Sequence, residues 1–145
     1  MNQTTDNVKG RLVLINPEKK ANKGKKPGAI GKLWHWVEGI NDIVVVYLSE
    51  YNYFDTYAPE DLLTFYPDIL DNLIGSREKL EKADIKCLLR VYHLILHRHY
   101  GDAFSLALKN TKIRHLCLTD GRWLLRQARS NLKGNFICNT NIKGM

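Results

Sequence analysis

Two rhythms of apolar residues divide the chain. From residue 1 to 66, Val, Ile, Tyr and Trp come in short runs broken by Gly, Pro and Asn, the grammar of strands. From 67 to 145, Leu recurs every three or four residues with few breakers, the grammar of helices. Strands followed by helices predict an α+β fold, with a β module over 1–66 and a helical region over 67–145. The boundary falls at Tyr66-Pro67, because a residue before proline is held extended.

Five strands are predicted in the first half. They cover Val8–Asn16, Ala29–Val37, Ile43–Leu48, Tyr53–Tyr57 and Leu62–Tyr66. A polar connection over 17–28 separates the first two, and Glu38 to Asp42 forms the next turn. Ile43–Leu48 is apolar on both faces and belongs in a central or covered position. So many short strands in under seventy residues favour a small, strongly bent barrel, which buries both apolar faces and strand edges.

The segment Lys23-Gly24-Lys25-Lys26-Pro27-Gly28-Ala29-Ile30-Gly31-Lys32-Leu33 lies between two of these strands. It resembles the KOW-type signature of small SH3-like barrels. Pro59-Glu60-Asp61-Leu62 is similar to the tight helical turn before the last strand of such barrels. The resemblance covers the first half only. It implies a five-stranded SH3-like β-barrel, and many barrels of that kind bind nucleic acid or protein tails.

In the second half the periodicity predicts a helix over Pro67–Ile74 and another capped by Ser76. The longest helix, Ile85–Tyr100, is capped by Asp84 and stopped by Gly101. A shorter helix over Ala103–Lys109 starts at an Asp102 cap and ends at Asn110. Ile113–Leu118 reads equally as helix or strand. Asp120 caps a final helix over Gly121–Leu132.

Composition narrows the class without naming a role. The chain has 145 residues, 44% hydrophobic and 26% charged, an ordinary globular balance that excludes a wholly disordered chain. Its longest uncharged apolar run, Ile43–Leu48, is far short of the roughly 20 residues of a membrane helix. Residues 1–6 lack the basic start and apolar stretch of a secretory signal. Cys87, Cys117 and Cys138 are odd in number and widely spaced, which fits a reducing compartment. A cytoplasmic location without membrane contact is expected.

Charge changes the picture more. Residues 1–66 carry 8 basic and 8 acidic side chains, whereas 67–145 carry 14 and 7, so the net +7 sits wholly in the helical half. The neutral half is itself polarised. Lys9 to Lys32 holds eight basic residues and the single acid Glu18, while Glu38 to Asp61 holds six acids and no base.

Two features point to phosphates. One is the lysine-rich connection with Lys19, Lys20, Lys23, Lys25 and Lys26, either a counterion-releasing loop or a solvated loop held by its acidic neighbour. The other is Arg122, Arg126, Arg129 and Lys133, spaced i, i+4, i+7 and i+11 along one face of the last helix. Together they predict a non-catalytic nucleic-acid-binding protein. The alternative is a protein-interaction module or small inhibitor. There an acidic protein surface meets the basic helix, or a partner meets the aromatics Trp34, Trp36, Tyr51 and Tyr53. By alternation Trp34 and Trp36 share a face, as do Tyr51 and Tyr53, though the same rings equally suit a small core.

Catalytic chemistry finds no pattern to rest on. His93-x-x-x-His97 has the spacing of two metal ligands, yet no Glu follows His93 and a zinc site would need further ligands from elsewhere, such as His115 or Cys117. Histidines near a helix end also simply complement its dipole. The acids fall where turns and caps explain them, and no phosphate loop, nucleophile elbow or dinucleotide fingerprint occurs. No cofactor, no metal and no enzymatic activity are expected.

Overall fold

A computed structural model describes residues 3–19 and 25–128. The chain is mixed α+β. A first helix, α1 (Gln3–Val8), precedes β1 (Leu12–Ile15), β2 (Ile30–Val37), β3 (Ile43–Leu48) and β4 (Tyr53–Tyr57). A 3₁₀ turn at Pro59–Asp61 leads into β5 (Leu62–Phe65). Then come α2 (Ile69–Ser76), α3 (Lys82–Leu96), α4 (Tyr100–Leu108), α5 (Thr111–Cys117) and β6 (Leu118–Asp120), and residues 121–128 are again helical. Among the described residues no helix is long and apolar enough to cross a membrane.

The strands form one antiparallel sheet in the order β4-β3-β2-β1-β5-β6. It is open and six-stranded, where a closed five-stranded barrel was expected. The sixth strand comes from the ambiguous segment. Asn110 caps α5, the helix ends at Cys117, and Leu118 turns extended at φ −117° and ψ 146°. Three residues are too few for a period of two to show in sequence.

By internal contacts the described residues fall into two compact units. One draws on the described residues among 3–62 and 120–128, the other is Leu63–Thr119. The first unit centres on the β2-β3-β4 meander, whose two hairpins form because alternating apolar residues are interrupted by Glu38–Asp42 and Ser49–Asn52. Inward positions Leu33, Trp36, Val44, Val46 and Leu48 are fully buried, joined by Val13, Ile15 and Leu62. The 121–128 helix closes this core with Leu124 and Ala128. Its start is as the sequence predicts, since Asp120 Oδ1 accepts the Arg122 N–H at 2.9 Å.

A bulge in β2 decides where its aromatics point. Leu33 pairs with Val46 and His35 with Val45, so Trp34 is an extra residue with no opposite number. Leu33 and Trp36 therefore share the inner face three residues apart, and Trp34 turns outward. The expectation that Trp34 and Trp36 share a face is overturned by that inserted residue. Trp36 is wholly buried, and its indole N–H donates to Asp42 Oδ2 at 2.9 Å.

The offset of β1 against β2 explains α1. β1 begins at Leu12 opposite Lys32, so the far end of β2 outruns its neighbour. Thr5 on α1 supplies the missing partners: its hydroxyl accepts the Trp36 N–H at 2.9 Å and donates to the Trp36 carbonyl at 3.3 Å. Residues 8–11, expected as strand, instead finish this helix and turn at Gly10, whose φ is +87°.

In the second unit the helices bury Leu88, Val91, Ala103, Phe104, Ala107, Ile113 and Cys117, and Phe65 stacks on Phe104 at 4.2 Å. Burial pushes the Cys117 thiol up to about 12, which keeps it protonated. Helix boundaries differ from expectation for local reasons. Asp84 is not the cap of α3 but its third residue, where Oδ2 accepts the Glu81 N–H at 3.1 Å. Gly101 lies within α4, and the left-handed residue after α3 is Arg98 at φ +61°.

Asn110 joins two helix starts. Its Oδ1 accepts the N–H groups of Lys112 and Ile113 at 3.0 and 3.3 Å, and its Nδ2 donates to Asp84 Oδ1 at 3.2 Å. That bond, with the Glu81 N–H and Lys112 Nζ at 3.5 Å, holds the Asp84 carboxyl below the usual carboxylate range. A depressed folded pKa stabilises above the unfolded value of about 3.9, and the contribution disappears as pH falls through the folded value. Asn110→Ala is expected to cost about 1 kcal/mol through the lost cap and to move the acid-unfolding midpoint to higher pH. An unchanged midpoint in a pH titration followed by circular dichroism would contradict this.

Candidate nucleic-acid interface

Strand pairing fixes which side chains reach the outer face of β2-β3-β4. Directly opposed residues share a face, so Lys32 lies beside Tyr47, and Tyr47 beside Phe54. The bulged Trp34 joins them. Trp34 and Phe54 meet edge to face with centroids 5.2 Å apart, Tyr47 and Phe54 lie at 5.0 Å, and Trp34 and Tyr47 at 6.3 Å. Trp34 is 44% exposed and Phe54 48%. The Tyr47 hydroxyl donates to Asn52 Oδ1 at 2.7 Å, which orients its ring.

Cations flank these rings. Lys9, just after α1, holds its ammonium 4.4 Å above the Trp34 ring centre, a cation–π contact. Lys32 is exposed on the same face. The outward positions of β2, β3 and β4 carry no carboxylate: Asp55 alternates to the side of Val46. The result is an apolar, π-rich surface with a positive margin.

The lysine-rich connection is less free than its charge implies. Among its described members, Lys19 and Lys26 are exposed, and Lys26 stands 4.6 Å over the Tyr51 ring. Lys25 is drawn inward. Its ammonium lies 3.6 Å from Asp55 Oδ1 and 4.9 Å from the Tyr57 ring centre, and the Tyr57 hydroxyl donates to the Lys25 carbonyl at 2.8 Å. Burial first, and Asp55 second, push the Tyr57 phenol up. The chain turns here through left-handed Lys26 and Gly28, at φ +59° and +83°. Lys20 and Lys23 lie outside the described residues.

Of the predicted arginine stripe, Arg122 and Arg126 are exposed on the helix whose other side buries Leu124 and Ala128. Arg122 grips the cap residue of its own helix, with Nη2 at 2.9 Å and Nε at 3.3 Å from Asp120 Oδ2, which raises its already high pKa. Arg129 and Lys133 lie outside the described residues.

Of the proposed partner aromatics, Tyr51 and Tyr53 are exposed, with centroids 6.4 Å apart, and Trp34 belongs to the outer cluster. Trp36 belongs to the core. Sequence reasoning missed Lys9, Lys32, Tyr47 and Phe54 as site members. A signal for two of them was present. The tight Ser49–Asn52 turn between two apolar runs sets Leu48 opposite Tyr53 and therefore Tyr47 opposite Phe54.

His93 in the last turn of α3 and His97 just after it have ring centroids 4.2 Å apart. Among the described residues no group of three or more His, Cys, Asp or Glu is placed to hold a metal ion. No protein-family model, curated protein or solved structure matches the chain.

Proposed function

We propose that this chain is a non-catalytic nucleic-acid-binding protein. One observation carries the reading: the helix over 121–128 turns Leu124 and Ala128 inward and leaves Arg122 and Arg126 exposed one turn apart. Arginines so spaced suit phosphates, because each guanidinium offers a planar fork of donors and each contact releases a counterion. The Lys9 ammonium over Trp34, and exposed Lys32, Lys19 and Lys26, add positive charge in the same unit. Lys25, paired with Asp55, contributes least.

Fluorescence anisotropy of labelled oligonucleotides across a salt series tests the reading. Arg126→Glu is expected to weaken binding to every sequence alike and to lower the slope of log affinity against log salt by at least about 1. Arg122→Gln is expected to do less, since that guanidinium already serves Asp120. No retention of any oligonucleotide at low salt ends the reading.

A protein-interaction role is the second reading. It is favoured by the β2–β3 turn, where Val37 and Ile43 are nearly half exposed and Ile40 fully so. A partner recovered by pull-down that survives nuclease treatment, and is lost in Ile40→Ser, favours it over the first.

A further inference from the structure

We infer that the outer face of β2-β3-β4 binds a single-stranded polynucleotide, with bases stacked on Trp34, Phe54 and Tyr47 and phosphates held by Lys9 and Lys32. The inference rests on the nucleic-acid reading and names the strand state and the surface. Three rings meet within 6.3 Å on a sheet face, and the two outermost are about half exposed. Rings that serve only as core do not sit this way. Base faces are available for stacking in a single strand and hidden in a duplex, so a flat aromatic surface selects the former.

Charge agrees with that occupant. β2, β3 and β4 contribute Lys32 but no carboxylate to this face, and Lys9 reaches over it from the end of α1. A basic peptide would meet like charge there. An apolar peptide would offer neither ammonium group an anion. A polyanion with π-faces satisfies both features. The three rings meet base faces, not base edges, and the Tyr47 hydroxyl is already engaged by Asn52. Binding should therefore tolerate many sequences.

The test uses the full chain with four probes of equal length: oligo-U, oligo-dT, a mixed single strand and its duplex. Trp34→Ala and Phe54→Ala are each expected to lower single-strand affinity by about tenfold, the low end for one base stack, with little change on duplex. Lys32→Glu lowers affinity and flattens the salt dependence. The two homopolymer arms show whether RNA or DNA is the better ligand.

If the ring variants bind single strands as the parent does, or if duplex is preferred throughout, the inference is overturned while the nucleic-acid reading stands. If the parent retains no oligonucleotide, both fall. Should Trp34→Ala fail to fold, photocrosslinking of the parent to a thiouridine-containing strand decides. Adducts within 30–57 support the inference, and adducts confined to other segments overturn it.

Discussion

Trp36→Ala is expected to lower the stability of the sheet unit by about 3–5 kcal/mol, and Trp34→Ala, two positions away, by no more than about 1 kcal/mol. Trp36 is fully buried among Leu33, Val44 and Val46, and its indole N–H bonds Asp42. Truncation leaves a cavity and strips Asp42 of that donor, leaving it the Gly39 N–H at 3.1 Å. Trp34 loses edge contacts with Phe54 and Tyr47 and the overlying Lys9, all at the surface. Urea unfolding of both variants measures the gap. Equal losses would mean that Trp34 is not the bulged residue, and the outer aromatic face would go with it.

The second large effect is expected at Gly121. A Cβ there would stand 2.5 Å from the Pro59 carbonyl oxygen and 3.1 Å from its Cα and carbonyl carbon. All three atoms are backbone, and Pro59 itself is buried at the start of a 3₁₀ turn. Neither side can rotate away. Gly121→Ala should therefore cost at least the 1–3 kcal/mol typical of overpacking, despite alanine's better helix propensity. Gly31 offers an informative comparison. Its Cβ would stand 2.5 Å from Val46 Cγ1, 2.8 Å from the Tyr47 carbonyl oxygen and 2.9 Å from Leu48 Cδ2, and both side chains are fully buried. Thermal melts should place both Gly121→Ala and Gly31→Ala below the parent. A stabilised Gly121→Ala would show that the helix does not pack against this turn.

Local grammar was enough for some elements. β3 and β4 have the bounds that their apolar and aromatic runs and the flanking Asn, Asp and Ser residues imply, and Asp120 opens the last helix as its side chain suggests. What depended on distant partners was not legible. Nothing near Trp34 announces a bulge, because it is Val45 and Val46 on the next strand that set the count. Residues 8–11 read as strand by composition, yet α1 is kept helical to the point where Thr5 can complete the Trp36 backbone. The histidine-rich end of α3 hid its own stop signal, which is a left-handed arginine instead of the nearby glycine.

The candidate site divides in the same way. Charge counting located exposed Arg122 and Arg126. It overvalued Lys25, since a formal charge does not reveal that Asp55 and Tyr57 lie within reach. Aromatic content was visible, but which rings face out follows from register, a long-range property that moves with a single inserted residue.

The unit built on β2-β3-β4 takes part of its core from far along the chain, with Leu124 and Ala128 arriving only after all of 63–119. During synthesis those two residues emerge only after the whole intervening unit, so the meander waits with an uncovered apolar side while that unit, continuous in sequence, is free to complete itself. Such non-local closure slows folding and lengthens exposure to aggregation. Expression trials that stop the chain before residue 121 should yield insoluble product, and chaperone dependence should centre on that interval.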